Sequence, residues 1–559
     1  MLLKILIYIY INPNVMNHPE FIAENELLID NPTNAGQSVA ATGNFAQAFG
    51  TSELVHLLKR TMFGVKQQDI TTLTGKTMSQ VVSQLLTADP TPALPINDYN
   101  DTSYTDPSVA AGSSWVNAIY DGNGNSRRVN SFKAWWIGVM INHPTSIHEK
   151  MTLFWANHFS TQTTTINDAR YIYKQNALIR ANALGNFRQL LKQITIDPGM
   201  LIYLNGYLNN KTSPDENYGR EMQELFTVGK GPNSYYTEAD VKAAAHVLTG
   251  YTVNSTTISS AFDLTKHDST DKQFSAFYNN TIIAGKIGAA GATELDTMID
   301  MILNQPETAM FICRKLYRFF VYYNIDSSIE ANVITPMANV FRANNYDIKP
   351  VLQWLLTSSY FYDSRGSIIK SPIDATVGLF REFGVVFPLA SDYVNLYYMN
   401  DYVRNLAANM EQNIGDPPNV AGWPAYYQEP QYHELWINSD TLPKRNILTD
   451  LMVGAGYTRN SKKLVIDVVD FATKLPNPAD PNALIADSLT QIYSVAVTQH
   501  VTDFLKSILL SGQISDHYWS DAWNAYILGP TVIMNKNIVQ TRLQSMYKYL
   551  LDLAEYQLS

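Results

Sequence analysis

The twelve residues from Pro214 to Leu225, PDENYGREMQEL, predict a helix that is rich in acidic side chains. Pro214 suits the first turn of a helix, where its missing N–H would have no partner. Asp215 and Glu216 stand where the positive end of the helix dipole favours carboxylates. We call residues 216–225 the acidic helix.

The same helical pattern extends to most of the chain. Met78, Val81, Val82, Leu85 and Leu86 follow the spacing of a helix with one apolar face. Strand-like segments are few, and residues 251–290 are the most favourable place for a short β-hairpin. The sequence therefore predicts an all-α fold: a large multi-helix globular body with a C-terminal helical extension.

Changes in composition divide the chain into three parts. Residues 1–43 form an N-terminal arm, which begins with the apolar run MLLKILIYIYI and resembles a degenerate secretion signal. Residues 44–460 are the helical body, and residues 461–559 are the extension, which we expect to pack on the body. The 413–438 segment, rich in Pro, Gly and aromatic residues, interrupts the helices as a long loop.

Bulk composition excludes several classes of protein. The 559 residues carry a net charge of −10 with no basic stripe, so we expect no nucleic-acid partner. The single cysteine, Cys313, excludes an intrachain disulfide and CxxC sites. No stretch of 18 apolar residues occurs, so we expect no transmembrane segment.

Common catalytic motifs are absent from the sequence. There is no G-x-S-x-G elbow, no H-E-x-x-H zinc motif, and no G-x-G-x-x-G after a strand. These absences argue against the most frequent hydrolase and dinucleotide-binding classes.

Two interpretations of the acidic helix stay open. Glu216, Arg220 and Glu224 are four residues apart, so they can pair along one face and support the helix. Glu221 lies three residues from Glu224, and two close carboxylates can raise a pKa or attract a cation. We therefore treat Glu221, Glu224 and Arg220 as candidate catalytic residues, with Asn217 as a candidate binding residue.

Several blocks of the sequence, taken in order, carry a family resemblance. These blocks are His56–Arg60, Phe63–Gly64, Lys150–Trp155, Asn157–Phe159, Glu216–Glu221, Glu224–Gly229, Tyr236–Val241, Leu248–Tyr251, Lys266–Asp268 with Lys272, Lys370–Pro372 and Pro417–Trp423. Together they resemble the bacterial domain of unknown function 1800 family, and the C-terminal part resembles the extension of its Bacteroidota-type members.

The resemblance implies a cellular location and a partner protein, and it does not imply an activity. Family members often look exported, which implies an extracytoplasmic location in the periplasm or at the cell surface. Their genes often lie near those of a second family related to sulfatases and phosphatases, which implies such a protein as a partner. The family commonly has His before Asn157, whereas this chain has Ala156.

Histidines within the recognisable blocks suggest a metal site. We expect His158, His267 and Asp268 to approach Glu221 and Glu224 and form a mixed site. Imidazole and carboxylate ligands suit a divalent or iron-type metal. Each histidine can equally serve as a hydrogen-bonded core or loop residue.

The 413–438 segment, which we call the aromatic loop, offers a second candidate site. Asn419, Trp423 and Trp436 are candidate binding residues because loop aromatics can stack on sugar rings or anchor a protein. The alternative is that these rings pack the loop onto the body.

Two functions remain open. The first is an exported binding or accessory protein of a bacterial envelope system, with a glycan as one candidate ligand. The second is a metal-dependent enzyme, such as a hydrolase, centred on the acidic helix. We favour the first because no complete catalytic constellation can be named.

Overall fold

A computed structural model describes residues 49–559. The predicted N-terminal arm and its signal-like run lie outside the described residues. Within them, helices dominate and the strands form only three two-stranded hairpins, so the prediction of an all-α fold is confirmed.

Twelve α-helices form the first half of the described chain. In chain order they are α1 Thr51–Thr61, α2 Gln67–Leu73, α3 Met78–Leu85, α4 Asn125–Asn142, α5 His148–His158, α6 Thr163–Ile166, α7 Ala169–Asn182, α8 Phe187–Thr195, α9 Pro198–Tyr203, α10 Glu216–Glu221, α11 Glu238–Val247 and α12 Glu294–Asn304. A π-helical turn, Met222–Thr227, continues α10 without a break.

The second half adds the helices that complete the body and the C-terminal part. They are α13 Pro306–Phe320, α14 Ser327–Ile329, α15 Thr335–Ala343, α16 Ile348–Leu356, α17 Ser359–Asp363, α18 Pro372–Glu382, α19 Tyr393–Asn409, α20 Thr441–Val453, α21 Val468–Thr473, α22 Pro481–Ile492, α23 Gln499–Leu509, α24 His517–Leu528 and α25 Ile533–Asp552. A second π-helical turn, Glu330–Ile334, joins α14 to α15.

Three antiparallel hairpins interrupt the helices. Their strands are β1 Tyr251–Asn254 with β2 Ser259–Phe262, β3 Lys272–Gln273 with β4 Ile282–Ile283, and β5 Tyr457–Arg459 with β6 Lys462–Leu464. Two of them fall in the 251–290 region that the sequence marked for a hairpin.

Local sequence explains where the helices around the acidic helix begin. The Asp215 carboxylate caps α10 by accepting the Asn217 N–H. Thr237 and Asp240 form a reciprocal capping box at the start of α11.

Two hydrophobic clusters form the core. One joins α1–α3, α5, α8–α13 and α15–α17, and the other joins α4, α7 and α18–α25. The C-terminal part belongs to the second cluster, where Tyr547 of α25 meets Phe383 edge-on at 5.8 Å between ring centroids. In the described part of the chain, no helix has the length and apolar character needed to cross a membrane.

Candidate functional site

The acidic helix pairs most of its charges at the surface. Arg220 makes two hydrogen bonds of 2.7 Å with Glu238 and a longer one of 3.4 Å with Glu216. Glu224 turns away from Arg220 and accepts from Lys230 at 3.0 Å. The predicted Glu216–Arg220 pair is therefore present, whereas Glu224 has a different partner.

Glu221 lies half-buried beside these surface pairs. Burial, together with the nearby Glu224 carboxylate, raises the pKa of Glu221. Asn217 donates its side-chain amide to the Leu204 carbonyl at 3.1 Å, which ties the start of α10 to the end of α9. Asn217 therefore has a structural contact within the protein.

The π-helical turn gives the acidic helix its link to the interior. The Val228 N–H reaches back five residues to the Gln223 carbonyl at 2.9 Å, which widens the helix by one residue. The Phe226 carbonyl is thereby free to accept a hydrogen bond from His158 Nε2 at 3.0 Å. His158 thus contacts the acidic helix through its backbone.

His158 connects this turn to a buried lysine. Because Nε2 donates to a carbonyl, Nδ1 carries the lone pair and accepts from Lys315 Nζ at 3.0 Å. Burial and the neighbouring Lys315 hold the pKa of His158 well below its usual range. Burial, with a smaller contribution from Arg318, lowers the pKa of Lys315 to about 7.

A small cavity of about 20 Å³ borders the His158–Lys315 pair. It has room for roughly one water molecule. Its wall includes Tyr426 and Tyr427 of the aromatic loop. The histidine predicted as a metal ligand therefore lies between the acidic helix and the aromatic loop.

His267 and Asp268 belong to separate pairs. The fully buried Glu294 carboxylate interacts with His267 at 3.1 Å and accepts from Lys272 at 2.5 Å. Asp268 pairs with His246 at 2.5 Å. Glu294, which the sequence analysis did not identify, is the carboxylate that joins His267 to Lys272.

The five side chains predicted to form one mixed metal site are therefore distributed among different contacts. Between residues 49 and 559, no group of three or more His, Cys, Asp and Glu side chains is arranged to hold a metal ion. The reason is local: each histidine uses its ring nitrogens on protein groups that it meets in the core.

The aromatic loop packs closely onto the body. The Trp423 N–H donates to the Asn157 side-chain oxygen at 2.9 Å. Trp423 and Trp436 are 3% and 4% exposed, so both rings are largely enclosed. Asn419 donates to the Tyr427 hydroxyl at 2.9 Å on the outer side of the loop.

An open cleft of about 660 Å³ lies between this loop and the end of α19. Most apolar residues of its wall are buried or half-buried and most polar ones are exposed, so we call the two groups the floor and the rim. The floor is Ala408, Pro418, Trp423, Pro424, Ala425, Leu435, Trp436 and Ile437, and the rim is Glu411, Asn413, Asp416, Gln428, Gln431, Glu434 and Asn438. Both predicted tryptophans therefore line the cleft with the small part of their surface that stays exposed.

A model of the family described as protein of unknown function (DUF1800) matches residues 56–558. The chain belongs to this family. No curated protein and no solved structure matches the chain. The DUF1800 match includes nearly all of the segment that we assigned to a C-terminal extension.

The DUF1800 blocks recognised in the sequence meet around the aromatic loop. Asn157 and His158 come from one block, Lys370 and Ser371 from another, and Trp423 from a third. Lys315 lies outside the blocks, and nothing in the sequence distinguishes it from Arg314 and Arg318, the neighbouring cations of α13.

Proposed function

We propose that this protein binds a carbohydrate in the cleft formed by the aromatic loop and the end of α19. The observation that carries the proposal is the wall of that cleft: an apolar floor, a rim of amides and carboxylates, and a volume of about 660 Å³. Small-molecule sites commonly have volumes of about 300–1,000 Å³ and combine an apolar lining with a few polar groups.

The charge of the cleft selects the class of ligand. Among the described residues, its wall contains Glu411, Asp416 and Glu434 and no Lys, Arg or His side chain. Asp416 is already paired with Lys133, and Glu411 accepts a hydrogen bond from Asn438 at 3.4 Å, so Glu434 is the carboxylate of the wall without a partner in the described part of the chain. Such a wall disfavours phosphorylated or other anionic ligands and suits a neutral or amino sugar.

Three side chains on the rim are available to a ligand. Gln428, Gln431 and Glu434 are exposed and make no side-chain hydrogen bond or ion pair with other residues in the described part of the chain. Amides donate and accept, and carboxylates accept, so together they match the hydroxyl groups of a sugar.

Binding to neutral and amino-sugar oligosaccharides, measured by titration calorimetry, tests this proposal. We expect the triple variant Gln428→Ala, Gln431→Ala, Glu434→Gln to lose affinity by about tenfold or more, because each lost hydrogen bond removes about 0.5–1.5 kcal/mol. The matched control is Gln68→Ala with Gln513→Ala, two exposed glutamines on other elements. Equal affinity in the triple variant and the control would contradict the proposal.

We propose the bacterial envelope as the place of action, supported by the frequent export of members of this family. Immunoblotting of fractionated cells tests the location. Recovery of the protein in the cytoplasmic fraction alone would contradict it.

A further inference from the structure

A second cavity lies on the inner side of the aromatic loop and differs in charge from the cleft. It has room for roughly one water molecule, about 20 Å³, and shares Ala425 and Trp436 with the cleft. Arg60, Lys150 and Arg318 line it, and Asp374 is its single carboxylate. The loop therefore separates an acidic cleft from a cationic cavity.

The carboxylate of this cavity is already used. Asp374 forms an ion pair with Lys150 and accepts from the Ser371 hydroxyl at 2.9 Å. Asp374 therefore neutralises the charge of Lys150, and the charges of the two arginines stay without a compensating carboxylate in the cavity wall.

Both arginines lack a carboxylate partner among the described residues. Arg60 donates to the carbonyls of Phe319 and Phe320 and to the Ser559 hydroxyl. Arg318 donates to the Tyr323 carbonyl at 3.4 Å and lies over the Tyr432 ring. Arg60 is buried and Arg318 is half-buried. A guanidinium without a counter-ion is unfavourable in such surroundings, and an anion in the cavity would relieve both groups.

Positive charge continues behind the cavity wall. Lys370 lies 3.7 Å from the centre of the Tyr556 ring and has no carboxylate partner in the part of the chain described. Arg445 donates to the carbonyls of Lys370 and Trp436, and its Nε is buried without a hydrogen bond. The charges of Lys370 and Arg445 strengthen the attraction of the cavity for an anion.

A hydrogen-bond donor without a partner faces the same cavity wall. His433 Nδ1 accepts from the Ile369 N–H at 3.3 Å, so the proton of the neutral ring is on Nε2. His433 Nε2 is buried and has no partner among residues 49–559. Burial and Arg60 lower the pKa of His433 to about 4, which keeps the ring neutral at pH 7.

From these contacts we infer that the cavity bounded by Arg60, Arg318 and His433 is a binding site for a small inorganic anion of the size of chloride. The cavity volume selects the ligand, because a water-sized space admits a monoatomic anion and is too small for phosphate or sulfate. The two unpaired guanidinium groups supply the charge, and His433 Nε2–H supplies a directed hydrogen bond. This site is independent of the carbohydrate cleft.

Bromide provides the direct test because it replaces chloride and scatters anomalously. Crystals of the full chain soaked in sodium bromide should show an anomalous peak within hydrogen-bonding distance of His433 Nε2 and next to Arg60. The same soak with sodium phosphate should leave the cavity without phosphate. Density for water alone, or a bromide peak only at other places, would overturn the inference.

Thermal unfolding gives a second measurement in solution. Replacing sodium gluconate by sodium chloride at constant ionic strength should raise the Tm in a saturable way, by about 1 °C for a chain of this size. The increase should vanish in Arg318→Gln and in His433→Leu, and persist in the controls Arg342→Gln and His500→Leu, which alter exposed residues. A Tm that responds equally in all five proteins, or not at all, would refute the site.

Discussion

Lys315 provides a sharp test of the electrostatics around the acidic helix. Its side chain is half-buried, and its hydrogen-bonding partner among the described residues is the neutral imidazole of His158 at 3.0 Å. The pKa of Lys315 falls from an ordinary value of 10.5 to about 7 because burial disfavours the charged amine. We predict that Lys315→Met removes a pH dependence of stability that the natural protein shows between pH 6 and pH 9.

The sign and the size follow from proton linkage. Between the two pKa values the unfolded chain binds a proton at Lys315 and the folded chain does not, so stability rises with pH over this window. With a folded pKa of about 7, the free energy of unfolding increases by about 3 kcal/mol from pH 6 to pH 9. With a folded pKa one unit higher, it increases by about 1 kcal/mol. Below pH 7 the ammonium is forced into the core, so Lys315→Met should be the more stable protein there.

Scanning fluorimetry at several pH values measures this difference directly. The difference in Tm between the two proteins, natural protein minus Lys315→Met, should increase from pH 6 to pH 9. The control Lys349→Met, on the exposed side of α16, should run parallel to the natural protein. A difference in Tm that is constant across the pH range would refute the reasoning.

Two further predictions concern the buried polar contacts. Glu294→Gln should destabilise the protein by about 3–5 kcal/mol, because it leaves Lys272 buried without its carboxylate, whereas Asp296→Asn on the exposed side of α12 should cost less than about 1 kcal/mol. Chemical denaturation distinguishes the two, and equal losses would contradict the role of Glu294. Gly422→Ala should destabilise the aromatic loop, since φ is +96° and a Cβ would lie 2.3 Å from the Asn157 side-chain oxygen. Limited proteolysis should cut within 411–438 in this variant and not in Gly512→Ala, where a Cβ meets no atom within 4 Å. Equal proteolysis of both variants would show that the close contact with Asn157 does not hold the loop.

Local signals were sufficient to predict the helices. Asp215 caps α10, and Thr237 with Asp240 caps α11, because these contacts lie within three residues of one another along the chain. The spacing of Ser146 and Glu149 also predicts a capping box, and this prediction is wrong. The Glu149 carboxylate accepts from Arg180 instead, and α5 begins at His148.

Contacts between distant residues determined the site, and the sequence could not supply them. His267 meets Glu294, which is 27 residues away, and Lys315 meets His158 across 157 residues. The π-helical turn after Glu221 was also hidden, because it is only six residues long and ends the helix, so no later helical turn shows the shifted spacing. The composition of the aromatic loop indicated binding residues, while the enclosure of both tryptophans depends on the body beneath them.

Hydrogen–deuterium exchange with and without a bound oligosaccharide tests the central claim most directly. Our account predicts that the saccharide slows exchange in residues 411–438 and at the adjoining end of α19, with the acidic helix unchanged. It also predicts that this protection disappears in the triple variant of Gln428, Gln431 and Glu434. Protection that appears at the acidic helix and not in the aromatic loop would contradict the assignment of the cleft as the carbohydrate site.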